Sequence, residues 1–450
     1  MERMFGTDGV RGVANQELTV ELAMKLGQAG AYILTKDCKH NPTILVGCDT
    51  RKSGDMLAMA LMAGICSLGA NAVYLGVIPT PAVAYLTRAY HADAGVVISA
   101  SHNPAKDNGI KFFNRDGYKL PDELEDEIQR VIENEMKEVT FHSGAGVGSI
   151  EYRFDARDEY VEFAKNLLNL DLSGLKIVVD CACGAAYYTS PKTLKELGAD
   201  LVVLHNKPDG LNINDHCGST HIESLVEAVV EHKADLGIAF DGDADRMIAV
   251  DENGKVVDGD QLMAICGLFL KEQGKLKHNT IVTTVMSNLG FSLMAKEHGI
   301  EAPMTKVGDR YVLELMKEGD YSLGGEQSGH IIFLEENSTG DGLISALHLL
   351  EVIVNKKQSL SELTKVIQIL PQALINARVP NEKKYSYMEN QVISDAIAEL
   401  EAKFKGEGRV LIRPSGTEPV VRVMIAGKNQ EEIEQEAKQL ADLIVKELAD

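Results

Sequence analysis

Tryptophan is absent from the 450 residues, and aromatic residues of any kind amount to 5%. No apolar run reaches about 18 residues, the length a helix needs to cross a bilayer, so no membrane span is expected. Residues Met1 to Asn15 carry no basic stretch followed by an apolar core and do not read as a signal peptide. The seven cysteines, an odd number without framework spacing, do not make a disulfide scaffold. They fit a reducing compartment, which points to a soluble, cytoplasmic protein. Positive charge is also scarce: 45 Lys and Arg stand against 67 Asp and Glu, for a net charge of −22. A nucleic-acid backbone would be repelled, and no Lys/Arg stripe offsets this, so nucleic acid is excluded as a partner. A small anionic ligand is not excluded. Exposed charges are screened beyond about 8 Å at physiological salt, and a local basic pocket can prevail.

What is present is ordinary globular material, 45% hydrophobic and 25% charged. At roughly 150 residues per domain it suggests about three domains, or four small ones. From Thr43 onward, short β-rich runs alternate with amphipathic helical stretches. Thr43–Val46, Ala94–Ile98, Lys176–Asp180 and Leu236–Phe240 read as strands, and Asp55–Ser67, Ser190–Leu197 and Ser224–His232 as helices. The alternation predicts α/β units with largely parallel sheets, buried on both faces. A last helix is set by Ile433, Ala437, Leu440, Ala441, Ile444, Val445 and Leu448, which fall on one face. Breaks are expected at the Gly-rich stretch Ser143–Ser149, near Asp251–Gly254, and near Gln368–Gln372, where Pro371 interrupts the pattern. They divide the chain into residues 1–150, 151–253, 254–369 and 370–450. The shared rhythm of the first three blocks predicts a structural repeat.

Five loops carry candidate chemistry. Ser99-Ala-Ser-His-Asn-Pro104 follows the strand ending at Ile98, where parallel α/β sheets place reactive groups. Ser101 is a candidate nucleophile; a polar turn closed by Asn103-Pro104 is the plainer alternative. Adjacent Ser and His rarely face each other, so a hydrolase pairing with His102 is not expected. Asp241-Gly-Asp-Ala-Asp-Arg246 offers three carboxylates at alternate positions that can converge on one hard divalent cation. Glu252 mimics the twelfth position of an EF-hand, but Arg246 stands where that loop needs its glycine, and the flanks are strands. A solvated acidic turn is the alternative, though three clustered like charges without a cation would repel. Three ligands leave positions open, which suits Mg²⁺ shared with a phosphate oxygen.

In Gly324-Gly-Glu-Gln-Ser-Gly-His330, the side chains of Glu326, Ser328 and His330 form a mixed inventory suited to sugar hydroxyls or an amine. A glycine-bracketed turn would account for that loop taken alone. Arg413-Pro-Ser-Gly-Thr-Glu-Pro419 joins Arg413, Ser415, Gly416 and Thr417 into a phosphate cradle, to which Arg422 on the next strand adds a second fork. The weakest loop alone is Gly6-Thr-Asp-Gly-Val-Arg-Gly12, where glycines allow close backbone approach and Arg11 supplies charge. Cys181-Ala-Cys183 has no second pair to complete four zinc ligands and reads as a turn with packed thiols. His40 and His278 read as solvated surface.

Taken together and in this order, the five loops resemble the α-D-phosphohexomutase superfamily across essentially the whole chain. Within it, Gly6–Gly12, Ser99–Pro104, Cys217–His221, Lys306–Arg310 and the Glu326-Gln-Ser328 form of the third loop are most similar to the bacterial phosphoglucosamine mutase branch. The phosphomanno- and phosphoglucomutase branch tends to carry Met where Gln327 stands. The resemblance implies four domains in a heart shape around a central cleft, three related mixed α/β domains and a smaller C-terminal α+β domain. It implies phosphorylation of Ser101 and one Mg²⁺ per site held by phosphoserine 101, Asp241, Asp243 and Asp245.

The catalytic residues it implies are Ser101, Lys111, Arg246 and His330. Lys111, in Gly109–Phe112, matches the family's general acid/base; an exposed strand residue is the plainer reading. A lysine acts as base only if its pKa falls, which burial and neighbouring cations would promote. Arg11, Glu326, Ser328, His330, Arg413, Ser415, Gly416, Thr417 and Arg422 would bind substrate. The implied activity interconverts glucosamine 6-phosphate and glucosamine 1-phosphate, with glucosamine or glucose 1,6-bisphosphate as intermediate or activator. It would supply UDP-GlcNAc and cell-wall precursors. A homodimer is implied by resemblance alone. The rivals are the same chemistry on glucose or mannose phosphate, a metal-dependent phosphatase, and a silent phosphosugar-binding protein.

Overall fold

The computed structural model describes residues 3–6, 8–405, 408–415 and 419–448. The chain forms two compact units. The larger runs through Thr284 and takes up Pro303–Lys365; the smaller joins Val285–Ala302 to the chain from Val366 on. No helix among the described residues is long and apolar enough to cross a membrane.

The larger unit contains three sheets built on one plan. In the first, Thr43–Cys48 lies between Asn71–Val77 and Ala94–Ile98, all parallel, and Asp107–Asn114 returns antiparallel beside Ala94–Ile98. In the second, Lys176–Asp180 lies between Asp200–Leu204 and Leu236–Phe240, with Met247–Asp251 returning antiparallel. In the third, Ile281–Thr284 lies between Met304–Thr305 and Leu323–Gly325, with Ile331–Phe333 returning antiparallel. The repeat expected from the strand–helix rhythm is therefore present as topology. It also has a consequence for chemistry. In each sheet the turn between the last parallel strand and its antiparallel neighbour is a candidate loop: Ser99–Pro104, Asp241–Arg246 and Glu326–His330.

The central strands carry no hydrophobic alternation, because both faces are covered. Every residue of Ala94–Ile98, Leu236–Phe240 and Met247–Asp251 is buried. Helices Val20–Thr35 and Gly54–Ser67 pack together over the first sheet. Leu26, Leu61 and Ile44 share its core with Ile128 of the helix Asp122–Glu133.

Three expectations shift. The Gly-rich stretch is followed by an edge strand, Ile150–Tyr152, that extends the first sheet, so that sheet ends beyond residue 150. The break at Asp251–Gly254 is a hairpin turn of the second sheet, which continues through Val256–Val257; Asp251 closes the turn by accepting from Asn253 and Lys255. The helix expected from Ser190 begins at Ala186, because the fold carries Pro191 inside the helix and overrides its breaking tendency.

The smaller unit carries an antiparallel sheet with Val420–Ala426 between Gln372–Arg378 and Arg409–Pro414. The final helix, Gln430–Leu448, buries Ile433, Ala437, Leu440, Ala441, Ile444 and Leu448. These pack with Val421, Val423 and Ile425 of the central strand. Each large side chain so buried contributes about 1.5–3 kcal/mol.

Candidate active site

The serine loop is fixed from beneath. Ser101 is 1% exposed and has φ 51°, a left-handed backbone that a non-glycine residue adopts only under constraint. The constraint is a buried clasp. Arg51 pairs with Asp49 at 2.9 Å and donates to the carbonyls of Ser101, Asn103, Pro104 and Asp107. Asn214 Nδ2 reaches the Ser101 and Asn103 carbonyls at 2.8 and 3.1 Å. Ser99 Oγ donates to Asp49 and accepts from the Ser101 amide. So oriented, Ser101 Oγ donates to Asp241 Oδ2 at 2.6 Å. His102 was expected to turn away, yet the left-handed turn brings its Nδ1 to 3.2 Å from Ser101 Oγ. Burial, with Arg246 and Arg11 nearby, lowers the His102 pKa to about 4, so the ring is neutral at neutral pH. The proton of Ser101 is directed at a carboxylate, which is not the arrangement of a hydrolase triad.

Asp241, Asp243 and Asp245 are buried and bring one oxygen each within 4.8 Å of one another. Gly242 permits this. A Cβ there would lie 2.5 Å from the Ser101 carbonyl oxygen and 2.7 Å from Asn214 Nδ2, so the two loops touch through bare backbone. Asp243 Oδ1 and Asp245 Oδ1 are buried without hydrogen-bond partners. Burial, then Asp245 and Asp243, push the Asp241 pKa well above the carboxylate range. Orphaned oxygens and like-charge crowding are what a hard divalent cation relieves, and the all-oxygen donor set suits Mg²⁺.

Lys111 is 1% exposed, on the strand Asp107–Asn114, with Nζ 2.8 Å from both Asp243 and Asp8. This corrects the expectation of a lowered pKa. Burial does push the amine down, but Asp243 and Asp8 outweigh it and raise the pKa, so Lys111 is an ammonium here. Its neighbours are mainly anions. The chain of opposite charges continues from Asp8 to Lys119, from Lys119 to Asp309, and from Asp309 to His330 at 3.5 Å. It ends at Asp245, 3.4 Å from His330 Nδ1. Burial opposes charge on His330, but Asp245 and Asp309 raise its pKa. Arg246 stands 3.8 Å from Asp245, and Arg11 pairs with Asp8. Asp8, Lys119, Asp309, Arg51 and Asn214 were not singled out from the sequence. Asp8 and Asp309 lie inside segments that carried the resemblance; nothing marked Arg51 or Asn214.

In the third loop, Gly329 at φ 90° packs against the strand after the metal loop, its carbonyl accepting from the Met247 amide at 3.0 Å. Glu326 is partly buried and accepts from the Gly308 amide at 3.0 Å, Ser328 is exposed, and His330 is 2% exposed. The larger unit thus gathers Ser101, Lys111, Arg246, His330 and the three aspartates around one charge network. Arg413 and Arg422, by contrast, belong to the smaller unit. There they are direct partners on adjacent antiparallel strands. Burial, then the charge of Arg422, lowers the Arg413 pKa. Ser415 is buried beside them in sequence, and Gly416 and Thr417 lie outside the described residues.

Models of the phosphoglucomutase/phosphomannomutase family match along the chain. Alpha/beta/alpha domain I matches residues 2–139, domain II 158–254, domain III 258–369, and the C-terminal domain 374–443. The chain is 60% identical over 444 residues to a phosphoglucosamine mutase of Ruminiclostridium cellulolyticum, covering 99% of each. It is 59% identical over 448 residues to that of Acetivibrio thermocellus, covering 100% of each. Among solved structures, a phosphoglucomutase/phosphomannomutase family protein from Burkholderia thailandensis aligns with TM-score 0.82 at 23% identity, over 100% of this chain and 99% of that one. The Aspergillus fumigatus N-acetylphosphoglucosamine mutase, in complex with GlcNAc-6P and magnesium, aligns with TM-score 0.71 at 17% identity over 99% and 96%. At these identities the structural likeness speaks for the fold.

Proposed function

The chain belongs to the phosphoglucomutase/phosphomannomutase family, with its four-domain α/β fold, and from that premise we propose that it interconverts glucosamine 6-phosphate and glucosamine 1-phosphate. The observation that carries the site is the buried Ser101 hydroxyl, hydrogen-bonded to Asp241 within a cluster of three carboxylates. The amino-sugar substrate rests on the 60% identity to phosphoglucosamine mutases. The proposed domains are residues 1–150, 151–253, 254–369 and 370–450, with the edge strands noted above.

Asp241, Asp243, Asp245 and Ser101 would hold one Mg²⁺, which supplies positive charge beside the transferring phosphoryl group. In the proposed relay Ser101 is phosphorylated. Its Oγ–P bond breaks as a P–O1 bond forms on glucosamine 6-phosphate. The O1 hydroxyl proton is released, and Ser101 ends as a free hydroxyl. The 1,6-bisphosphate then presents its other phosphate, Ser101 takes the phosphoryl back from O6, and O6 gains a proton. Lys111, found here as an ammonium, fits the donor half of this exchange. The acceptor half requires Asp243 and Asp8 to turn from it. Arg246 offsets phosphoryl charge; His330, Glu326, Ser328 and Arg11 contact the sugar phosphate. Arg413, Ser415, Gly416, Thr417 and Arg422 are assigned a phosphate. Positioning and electrostatics carry most of such a reaction. The product would feed UDP-GlcNAc and cell-wall precursor synthesis in the cytoplasm, and a homodimer is the proposed assembly.

The test incubates the protein with glucosamine 6-phosphate, Mg²⁺ and a trace of hexose 1,6-bisphosphate, with Ser101→Ala in parallel. Glucosamine 1-phosphate from the wild type alone is expected. A higher kcat/KM for glucose or mannose phosphate would overturn the amino-sugar assignment.

A further inference from the structure

Outside the active site, the described residues contain two mixed clusters of metal-ligating side chains. In one, Cys38, His40 and Asp93, the charge is already balanced. The Arg115 guanidinium lies 3.7 Å from both the Asp93 carboxylate and Cys38 Sγ. In the other, Asp180, His205 and Cys217, no Lys or Arg of the described residues lies within salt-bridge distance of Asp180.

Its construction follows from the second sheet. Asp180 and Leu204 are register partners at the ends of adjacent parallel strands, so Asp180 and His205 emerge side by side. The chain returns at Cys217-Gly218, where the Gly218 amide donates to Asp180 Oδ2 at 3.0 Å. Asp180 is fully buried, Cys217 is 1% exposed, and His205 keeps a third of its side chain open, an entry route. The three donor atoms lie within 4.8 Å of one another. His205 Nδ1 is buried and 3.1 Å from Asp180 Oδ2, and the carboxylate raises the imidazole pKa. When the imidazole proton is displaced, a ring nitrogen, a carboxylate oxygen and the Cys217 sulfur are left together for one cation to ligate. Cys183, 5% exposed, sits in the adjoining turn but is not among the donors that lie within 4.8 Å of one another. Ala182, Cys183 and His205 all adopt left-handed backbone, at φ 53°, 46° and 46°. Such strain in non-glycine residues persists where the surroundings impose it. The sequence shows only Cys181-Ala-Cys183 without a second pair; the fold instead joins Asp180 to donors 25 and 37 residues away.

We propose that Asp180, His205 and Cys217 form a three-ligand site for a thiophilic divalent metal of the Zn²⁺ class, with water completing the tetrahedron. A thiol, an imidazole and a carboxylate match that preference, and donors at zinc bond lengths of about 2.0–2.3 Å stand roughly 3.3–3.8 Å apart. On binding, Cys217 releases a proton to solvent as its sulfur bonds to the metal. The metal would hold Asp180, whose carboxylate accepts from the Ala182 amide of the Cys181–Gly184 turn at 2.8 Å, and that turn supports both active loops. The Cys183 carbonyl accepts from Thr50 Oγ1 at 2.6 Å, and the Gly242 carbonyl accepts from the Ala185 amide at 2.8 Å. The Ala182 carbonyl accepts from the amide of Asn214, whose side chain holds Ser101.

The test uses the reduced, chelator-stripped full chain, saturated with Mg²⁺ and titrated with Co²⁺. One equivalent should give a near-ultraviolet thiolate-to-cobalt band and the visible bands of tetrahedral Co²⁺, all displaced by one equivalent of Zn²⁺. Cobalt bound by the three catalytic aspartates has no sulfur ligand and cannot give the ultraviolet band. Cys217→Ser should abolish that band, His205→Ala should weaken binding at least about tenfold, and Cys38→Ser should change neither. A folded wild type without the band overturns the proposal, as does a band that survives Cys217→Ser. If Cys217→Ser does not fold, His205→Ala decides alone: unchanged affinity overturns the site.

Discussion

Replacing Arg51 by Met should damage this protein more than any contact with substrate would suggest. The side chains of Arg51 and Asp49 are both 0% exposed, and they are joined at 2.9 Å. Removing the guanidinium strands a carboxylate whose pKa burial already raises and Arg51 opposes. Breaking such a pair costs about 3–5 kcal/mol. The carbonyls of Pro104 and Asp107 lose the Arg51 donor, whereas those of Ser101 and Asn103 keep Asn214. Urea unfolding should therefore show a loss of about 3 kcal/mol or more for Arg51→Met. Adding Asp49→Asn should recover part of it, because the stranded charge is gone. Arg51→Lys keeps the charge but not the fork that spans four carbonyls. It should retain more stability than Arg51→Met and still lose kcat by about 10²-fold, the scale of a 1 Å misplacement. The reasoning is refuted if Arg51→Met unfolds within about 0.5 kcal/mol of wild type, or if the two single losses simply add in the double variant.

Gly242→Ala forces a methyl against the Ser101 carbonyl and Asn214. Overpacking of this kind costs about 1–3 kcal/mol, and kcat should fall while the fold survives; unchanged kinetics would count against contact between the loops. Lys119→Met leaves Asp8 and Asp309 buried without the cation between them. Melting should fall by an amount equivalent to about 3 kcal/mol or more, with Lys119→Arg milder; a neutral Lys119→Met would show that the charge chain is ornamental. His348 is buried, stacked on Phe333, and 3.4 Å from both Glu336 and Glu351. Burial opposes its charge, but the two carboxylates raise its pKa above 6.5. The stability it confers is full below that ordinary value and lost as pH rises through the raised one. The gap in urea midpoint between wild type and His348→Gln should therefore narrow as pH rises above 6.5; a widening gap would refute the sign.

Much of the architecture was readable because it rests on local signals. The runs around Val96, Val178 and Ile238 are continuous apolar strands, as parallel sheets require, and the serine and aspartate loops directly follow the first and last of them. The three aspartates were legible from alternation alone. What sequence could not show is pairing across distance. Lys111 reads as one alternating strand residue until Asp8 and Asp243 are brought to its amine, and those two carboxylates reverse the direction expected for its pKa. Arg51 is one arginine among many until Ser101, Asn103, Pro104 and Asp107 turn their carbonyls toward it. The turn at Asp251–Gly254 is a related case: a hairpin within a sheet and a linker between domains share their turn residues, and here a short strand of the second sheet follows the turn.

The central claim is that Ser101 carries the phosphoryl group that is transferred. The direct measurement loads Ser101 with ³²P-phosphate, mixes the labelled protein with unlabelled glucosamine 6-phosphate, and follows the label by rapid quench. The account predicts that label leaves Ser101 for the sugar bisphosphate and monophosphates at least as fast as turnover. Label that stays on Ser101 while glucosamine 1-phosphate accumulates, or that departs as inorganic phosphate, would contradict it.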